Sequence, residues 1–312
     1  YTEKITVPSN KPYLTLLGGT KNAADTVLTF NLHANSDNGM GGTVGTTGSA
    51  STTINGNHFI AANLTFANST PDNVSQAVAI KTNSDCNLFK NVRFIGFQDT
   101  LYLDGGAGAP RRNYIVDSYV PGDTDFIFGR ATAVFQNSII NSSDRQYITA
   151  PRTEAANPYG FVFLDCTLTN VPNPVGSSVV TVPNNSTYLG RPWQYNSTDP
   201  IVQAKSVFID TKMGPHIIAA GWHPWDAGNV NPSATTYFAE YNSMDLNGNP
   251  LNVAGRIAWS HQLTPAEAAQ YSLANIFGNW DYAAALATVP EPAAGLLGAI
   301  GALGVMAMRL PR

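Results

Sequence analysis

Residues 113–140 have the sequence NYIVDSYVPGDTDFIFGRATAVFQNSII. One short motif occurs twice in this stretch, and it indicates the fold. YIVDSYV and VFQNSII each place one polar residue, Asp117 or Asn137, between two short apolar runs. The same motif recurs along the chain as AANLTF, LFKNVRF, VFLDCTL and VFIDTKM. Its polar anchors are Asn63, Asn91, Asp117, Asn137, Asp165 and Asp210, which lie 28, 26, 20, 28 and 45 residues apart.

Repeats of this length, made of short β-type runs with Gly, Asn or Asp between them, are typical of solenoids. No helical periodicity intervenes before the C-terminal region, which argues against βαβ units, and the leucine-rich repeat consensus is missing. The sequence therefore predicts an all-β, right-handed parallel β-helix in which each anchor marks a bend or belongs to a polar ladder. The gap between Asp165 and Asp210 is long enough for two turns of the coil.

Helix signals appear only near the C-terminus. Thr264, Pro265 and Glu267 form the pattern of a capping box with proline at the first helical position. We expect the short helix that follows to reach about Asn275 and to pack on the outside of the coil. Residues 37–53 are rich in Gly, Ser and Thr and residues 171–200 in Pro and Asn, so both stretches are predicted to be mainly loops.

Composition suits a secreted β-rich protein better than a cytosolic helical enzyme. Only 12% of the 312 residues are charged, about half the usual share of a soluble domain. The net charge of −4 and the isoelectric point near 5.7 argue against nucleic acid as a partner, which needs a basic face. Cys86 and Cys166 show no metal-ligand spacing. A disulfide between them is one alternative, and two small buried residues in different coils is the favoured one.

A pair of aspartates stands out within the repeat. Asp99 in GFQDTLY and Asp125 in DTDFIFG are 26 residues apart, close to one turn of the coil, and each lies in a strand-like run. Stacked strands would bring the two carboxylates to roughly 5 Å from each other. Because two such neighbours do not both ionise cheaply, one tends to stay protonated while the other stays charged. The pair therefore predicts an acid and a nucleophile at one site.

Five segments carry a resemblance to a known family: QAVAI at 76–80, GFQDTLY at 96–102, DFIFG at 125–129, LGRPW at 189–193 and GWHPW at 221–225. Their order and rough spacing resemble those of the pectin methylesterases, which are β-helical carbohydrate esterases. The likeness extends over nearly all of the chain before its C-terminal tail. It implies hydrolysis of the methyl esters of homogalacturonan (pectin), with release of methanol and pectate and without a metal or another cofactor.

The resemblance also implies a role for individual residues. A carboxylate nucleophile must stay ionised, which a neighbouring guanidinium favours, and amide NH₂ groups can donate to an oxyanion without changing their charge. The implied set is Asp125 as nucleophile, Asp99 as general acid and then base, Gln76 and Gln98 as oxyanion donors, Arg191 as the group that holds Asp125, and Tyr102, Trp193 and Trp222 as sugar-binding residues. No HExxH or GxSxG motif occurs, which argues against a zinc hydrolase or a serine triad.

Three neighbours of the nucleophile need separate attention. In a regular strand Phe126 and Phe128 would face away from Asp125, so we expect them to be structural. Asp123 departs from the Thr or Asn that the family usually has at this position, and in a regular strand it would share a face with Asp125. A third carboxylate there would raise the pKa of Asp125 and shift the optimum to higher pH, unless it simply turns outward at the strand start.

Both ends of the chain suggest processing. Tyr1 lies within a strand-like run, so we expect an incomplete N-terminus. Residues 293–308 are apolar or Gly throughout, follow Pro-Glu-Pro and precede two arginines, which resembles a PEP-CTERM sorting tail. We therefore divide the chain into a β-helix over 1–288 and a tail over 289–312. The resemblance implies export, transient membrane contact and removal of the tail by a dedicated protease, and thus a secreted or cell-surface protein of a Gram-negative bacterium. We expect the enzyme to be a monomer.

Two rival functions remain open at this stage. A β-helical lyase would require a cluster of acidic residues that binds calcium and an arginine or lysine as the base. A polygalacturonase would require three aspartates on adjacent coils. Neither of these enzyme classes explains the two glutamines. A non-catalytic carbohydrate-binding β-helix, displayed through the tail, is the rival from another class.

Overall fold

The computed structural model of the chain describes residues 1–105, 111–144, 146–172, 182–193, 202–225 and 236–289, and the backbone of a strand at 305–309. The strands are β1 (Ile5–Val7), β2 (Leu14–Gly18), β3 (Val27–Phe30), β4 (Thr52–Ile54), β5 (Ile60–Asn68), β6 (Ile80–Thr82), β7 (Asn87–Ile95), β8 (Leu101–Leu103), β9 (Arg112–Val116), β10 (Tyr119–Gly122), β11 (Ile127–Gly129), β12 (Thr132–Gln136), β13 (Ile139–Ser142), β14 (Tyr147–Pro151), β15 (Phe161–Leu164), β16 (Thr167–Thr169), β17 (Tyr188–Gly190), β18 (Ala204–Ile209), β19 (Lys212–Met213), β20 (Thr236–Tyr241), β21 (His261–Gln262) and β22 (Val305–Arg309). The helices are α1 (Gly45–Gly48), α2 (Pro265–Ala268), α3 (Leu273–Phe277) and α4 (Tyr282–Ala287), with a 3₁₀ turn at Ala269–Tyr271.

The strands stack as successive coils of a parallel β-helix, which confirms the predicted fold. One sheet runs β1-β4-β6-β8-β11-β14-β17, and every pair in it is parallel. The second sheet contains two rows of strands, because the long strands β5 and β7 bend and belong to both rows. Each strand pairs with its counterpart in the next coil, so residues about one repeat apart become neighbours.

The polar anchors of the repeat mark the bends between the two rows. All of them have a left-handed backbone with φ between 49° and 58°, a conformation that Asn and Asp tolerate better than other side chains. Their side chains also form ladders: Asn91 donates to Asn63 at 2.8 Å and Asn137 donates to Asp117 at 2.6 Å. Both predicted roles are therefore confirmed, and Asn242 is a seventh such anchor that the sequence comparison missed (φ 50°).

The long gap between the last two predicted anchors contains one turn of the coil and not two. β15 pairs directly with β18, with Phe161 opposite Ser206 and Phe163 opposite Phe208. Because β15 and β18 are adjacent in the sheet, the expectation of a second turn in this gap was wrong. Because β17 stays in the first sheet, Arg191, which directly follows it, remains next to the preceding coils.

Alternate side chains of the strands fill the inside of the coil. Phe135, Phe163 and Phe208 stack in consecutive coils, with ring centroids 4.7 and 4.3 Å apart and nearly parallel planes. Cys86 and Cys166 are both buried and both free, and they belong to separate apolar clusters. The favoured interpretation of the cysteines is therefore confirmed.

The C-terminal helices lie on the outside of the second sheet. Thr264 accepts a hydrogen bond from the Glu267 amide, and the Glu267 carboxylate accepts one from the Thr264 amide, so the capping box is confirmed. The predicted helix is interrupted, because Ser272 has an extended backbone and caps a new helix, α3. Ile276 and Phe277 of α3 pack with Leu88 and other outward residues of the sheet.

Only part of the predicted tail lies among the described residues. β22, at 305–309, pairs antiparallel with β2. Residues 290–304 and 310–312 lie outside the described part of the chain, so the sorting tail stays a prediction. Within the described residues, no helix combines the length and the apolar character that a membrane crossing requires.

Candidate active site

The candidate site lies along one edge of the first sheet. Gln76, Gln98, Asp99 and Asp125 each precede a strand of that sheet, and Arg191 follows one. In the ladder between β8 and β11, Leu101 lies opposite Ile127, which sets Asp99 and Asp125, each two residues earlier, at matching positions of adjacent coils. The stacking that the 26-residue spacing predicted is therefore confirmed.

Both aspartates lie in turns and not in regular strands, which corrects the expectation from the sequence. Their backbones are left-handed, with φ of 64° at Asp99 and 49° at Asp125. Neighbouring coils hold these turns: the Asp99 amide donates to the Thr124 carbonyl at 3.1 Å, and the Asp125 amide donates to the Tyr147 carbonyl at 2.8 Å. A turn that is bonded on both sides fixes the direction of the carboxylate that it carries.

The left-handed turn also changes the directions of the residues after Asp125. Phe126 is fully buried in the core, as the sequence predicted. Phe128 lines the same pocket as Asp125, with its ring stacked on Tyr102 at 4.3 Å. The expectation that Phe128 faces away from the aspartate was wrong, because strand alternation does not continue through a residue in the left-handed conformation.

A pocket of about 500 Å³ brings most of the predicted residues together. It contains all five polar residues of the predicted set and two of its three aromatic residues. The lining is Val44, Gly45, Thr46, Thr47, Gln76, Gln98, Asp99, Tyr102, Asp125, Phe128, Ala150, Arg191, Trp193 and Trp225. The segment at 44–47 lies far from the motifs in sequence, and its Gly/Thr composition gave no sign that it would line the pocket.

Arg191 binds the carboxylate of Asp125 with two hydrogen bonds. Nε lies 3.0 Å from Oδ1 and Nη2 lies 2.6 Å from Oδ2. The guanidinium is itself fixed between two rings, 4.0 Å from the centroid of Tyr147 and 4.4 Å from that of Trp225. Burial raises the pKa of Asp125, and the hydrogen bonds and charge of Arg191 oppose that rise. The arrangement favours an anionic Asp125 whose charge is held in one place.

Asp99 is in the opposite electrostatic situation. Burial raises its pKa well above the usual value, and the negative charges of Asp125 and Asp123 raise it further. The positive charge of Arg191 opposes these effects only in part. The surroundings of the two aspartates therefore differ: Arg191 favours the ionised form of Asp125, whereas the charge of Asp125 favours the protonated form of Asp99.

The two glutamines complete the polar part of the pocket. The Gln76 side-chain oxygen accepts a hydrogen bond from the Ser75 hydroxyl at 2.9 Å, which leaves the NH₂ group of Gln76 available as a donor. The Ala77 amide donates to the Gln98 carbonyl at 3.1 Å, so the backbones that carry both glutamines are joined. The role of Ser75 was not visible in the sequence.

The two tryptophans of GWHPW lie in different environments. Trp222 is 1% exposed and packs in the core between Phe208 and Phe238, so its assignment as a sugar-binding residue was wrong. Trp222 bridges to Gly190 and thereby continues the first sheet, which turns its ring inward. Trp225 lines the pocket instead, with Arg191 over its ring. Tyr102 and Trp193 lie in the pocket as predicted, 6.4 Å apart in an edge-to-face arrangement.

These positions predict opposite phenotypes for two tryptophan variants. We expect Trp222→Ala to lower the free energy of unfolding by about 3–5 kcal/mol, because it removes a buried indole from the core. Trp225→Ala is expected to change stability by less than about 1 kcal/mol and to weaken catalysis, because its ring is only partly buried and contacts Arg191. Urea unfolding and steady-state kinetics of both variants check this. A stable, kinetically impaired Trp222→Ala would contradict the assignment.

Comparison with known proteins agrees with this site. The sequence model described as Pectinesterase matches residues 1–279. Pectinesterase 31 of Arabidopsis thaliana is 34% identical over 278 residues, which are 87% of this chain and 78% of that protein. The pectinesterase of Ralstonia solanacearum is 34% identical over 281 residues, 78% of this chain and 69% of that protein.

A solved structure shares the fold. A pectin methylesterase in complex with hexasaccharide VII aligns with a TM-score of 0.70 and 29% identity, over 90% of this chain and 86% of that one. The family match extends over both aspartates, both glutamines and the arginine of the pocket. This chain belongs to the pectinesterase family.

Proposed function

We propose that the protein hydrolyses the methyl esters of galacturonate units in pectin, with Asp125 as nucleophile and Asp99 as the proton carrier. The observation that carries this proposal is the differentiated carboxylate pair: Asp125 is held by Arg191, and Asp99 is buried without such a partner arginine in the described contacts. Membership of the pectinesterase family supports the reaction class.

The first half of the reaction uses the pair in its resting state. A carboxylate oxygen of Asp125 attacks the C6 carbonyl carbon of a methyl galacturonate unit and forms a tetrahedral intermediate. The NH₂ groups of Gln76 and Gln98 stabilise the negative charge on its oxygen. The bond to the methoxy oxygen then breaks, and Asp99 gives its proton to the departing methanol. An anhydride between Asp125 and the sugar remains.

The second half restores both carboxylates. Asp99, now ionised, takes a proton from a water molecule, whose oxygen attacks the galacturonyl carbon of the anhydride. The same amides stabilise the second tetrahedral intermediate. Its collapse releases a galacturonic acid unit and returns Asp125 as the carboxylate bound to Arg191, while Asp99 again holds a proton. No redox step and no additional reactant besides water is needed.

The walls of the pocket suit a sugar polymer. The pocket is lined by four aromatic residues on which pyranose rings can pack: Tyr102, Phe128, Trp193 and Trp225. The pectin methylesterase that was solved with hexasaccharide VII binds an oligosaccharide on this fold. Because the net charge is −4, an acidic polymer is held by local contacts and not by overall attraction.

The function is tested by assaying all expected products from highly methylated pectin. We expect methanol and new carboxylates in equal amounts, with no change in chain length. Unsaturated oligosaccharides would indicate a lyase, and new reducing ends would indicate a polygalacturonase. Binding of pectin without any methanol release would favour the non-catalytic binding module.

The buried charge of Asp99 predicts a gain in stability when it is removed. Because the folded-state pKa of Asp99 is raised, ionisation costs stability, and this cost grows as pH rises from the unfolded-state pKa near 4 toward the folded one. We expect Asp99→Asn to be inactive and, at pH 7, more stable by about 1 kcal/mol, as is common when a strained active-site group is removed. The difference should vanish below about pH 4 in urea unfolding. Equal stability differences at both pH values would contradict this assignment.

We also propose that the enzyme acts outside the cell, because pectin is a wall polymer and the sequence at 289–312 resembles a sorting tail. Export, transient membrane contact and the monomeric state stay predictions. Comparing the location of the full chain with that of a chain ending at 288 tests the role of the tail: retention of both forms in the same compartment would contradict it.

A further inference from the structure

A third buried carboxylate, Asp123, lies behind the catalytic pair. It is 6% exposed, belongs to the turn between β10 and β11, and does not line the pocket. The proposed reaction gives it no role. A buried carboxylate that neither touches substrate nor pairs with a cation in the described contacts is costly, so its contacts need an explanation.

The contacts of Asp123 lead through one residue to Asp99. The Asp123 carboxylate accepts a hydrogen bond from the amide of Thr124. The carbonyl of Thr124 in turn accepts the hydrogen bond from the amide of Asp99, at 3.1 Å. Asp123 thereby holds Thr124, the residue that directly precedes Asp125 and accepts the hydrogen bond from the Asp99 amide.

The other side of the same turn is also fixed. The amide and the hydroxyl of Ser143, in the next coil, both donate to the Gly122 carbonyl, at 2.7 and 2.8 Å. A side chain at Gly122 would place its Cβ 2.2 Å from the Cβ of Phe126, so the turn is closely packed. The Asp123 amide also donates to the Phe97 carbonyl at 3.5 Å, which ties the turn to the coil that carries Asp99. Within this turn, the hydrogen bond between the Asp123 carboxylate and the Thr124 amide helps to orient the Thr124 carbonyl, to which the Asp99 amide donates.

Among the described residues, the charged groups that act most strongly on Asp123 are carboxylates. Asp72 follows β5, Asp144 follows β13, and Asp99 lies in the preceding coil. Burial raises the pKa of Asp123 to about 7, with the Thr124 amide opposing this and Asp72 and Asp144 adding to it. Asp123 in turn raises the pKa of Asp99.

We propose that Asp123 is a positioning residue for the esterase reaction: its carboxylate orients the Thr124 backbone that holds Asp99, and its negative charge helps to keep the proton on Asp99. This inference rests on the proposed function. It differs from the sequence expectation, which assigned the effect of Asp123 to Asp125. In the structure the pKa of Asp125 is set by burial and Arg191, whereas Asp123 acts on Asp99.

Two substitutions separate the hydrogen bond from the charge. Asp123→Asn keeps an oxygen that can accept from Thr124 but removes the charge. Asp123→Ala removes both. We expect Asp123→Ala to lower kcat about tenfold, the usual size for loss of one charge-assisted hydrogen bond, with KM nearly unchanged. Asp123→Asn should retain kcat within about twofold below pH 7, which is the rescue that a positioning role predicts.

The pH profile gives the second readout. Acylation needs a protonated Asp99, so kcat/KM falls on the alkaline side as Asp99 loses its proton. Without the charge of Asp123, Asp99 loses its proton more easily, and we expect the alkaline limb of Asp123→Asn to move to lower pH while the acidic limb stays in place. Asp165→Asn is a matched control, because it makes the same change at an exposed anchor where sister coils already have Asn.

A titration that does not depend on activity completes the experiment. Carboxyl carbon NMR, with the Asp99 signal assigned by its loss in Asp99→Asn, measures the pKa of Asp99 in the full chain. The inference is supported if this pKa falls in Asp123→Asn and is unchanged in Asp165→Asn. It is overturned if the pKa and the alkaline limb both stay in place, or if Asp123→Asn and Asp123→Ala lose kcat equally. If the wild type is inactive but the pKa of Asp99 is still lowered in Asp123→Asn, the proposed function is contradicted and the effect of Asp123 on Asp99 is not.

Discussion

Asp125→Asn is expected to lower kcat for methanol release from methylated pectin by about 10⁴-fold or more, the range seen when a covalent nucleophile is removed. The amide has the shape of the carboxylate but cannot form the anhydride. It also leaves Arg191 in place between Tyr147 and Trp225, so pectin binding should change by less than about threefold. Initial rates of methanol release and equilibrium binding of a methylated oligogalacturonide measure the two quantities.

The control for this variant is Asp165→Asn. Asp165 has the same left-handed backbone as Asp125, with φ of 53° against 49°, but it lies at an exposed anchor away from the pocket. It should retain full activity. Full activity in Asp125→Asn would remove Asp125 from the mechanism altogether, whereas equal losses in both variants would indicate damage to the coil and not to the chemistry.

Arg191→Met is expected to lower kcat/KM at neutral pH by about 100-fold or more, because it removes one partner of a buried ion pair and leaves the other uncompensated. The direction in which the acidic limb moves follows from the effect of Arg191 on the pKa of Asp125. Burial raises the pKa of Asp125 and Arg191 opposes that rise, so without the guanidinium the pKa increases further. The acidic limb of the kcat/KM profile should therefore move to higher pH.

Arg191→Lys tests whether charge alone is sufficient. Lysine keeps the positive charge but cannot make both the Nε and the Nη2 contacts to Asp125, nor lie flat between the two rings. We expect a smaller shift of the acidic limb than in Arg191→Met and an intermediate rate. If the acidic limb of Arg191→Met coincides with that of the wild type, Arg191 does not hold Asp125 in its ionised form.

The repeat and the stacking of the two aspartates could be predicted because both depend on spacing along one coil. Residues one repeat apart become neighbours in a parallel ladder, so Asp99 and Asp125 were brought together by their 26-residue separation. The six anchors were found for the same reason. Spacing could not predict the backbone conformation. The anchors and both aspartates of the pocket share the left-handed region, which Asp and Asn tolerate.

The same conformation therefore serves two purposes in this chain. At Asp117 it bends the coil, and at Asp125 it directs a carboxylate into a pocket. A single sequence does not distinguish these uses by residue type. Strand alternation predicts that Phe128 faces away from Asp125, and this is wrong because the alternation does not continue through the turn.

Other errors came from contacts between distant segments. Trp222 and Trp225 are three residues apart in one motif, and only the bridge of Trp222 to Gly190 decides which ring enters the core. The loop at 44–47 reaches the pocket through the fold and has no motif of its own. Such positions depend on tertiary packing, which local patterns do not record.

The central claim is a covalent bond between Asp125 and the substrate. It is tested most directly by mixing the enzyme with a methylated oligogalacturonide, following methanol in the first turnover, quenching in acid and mapping the attached sugar by mass spectrometry. We expect a galacturonyl group on Asp125, formed together with the first equivalent of methanol. A sugar attached to Asp99 or Asp123, or a first equivalent of methanol with no sugar attached at all, would contradict it.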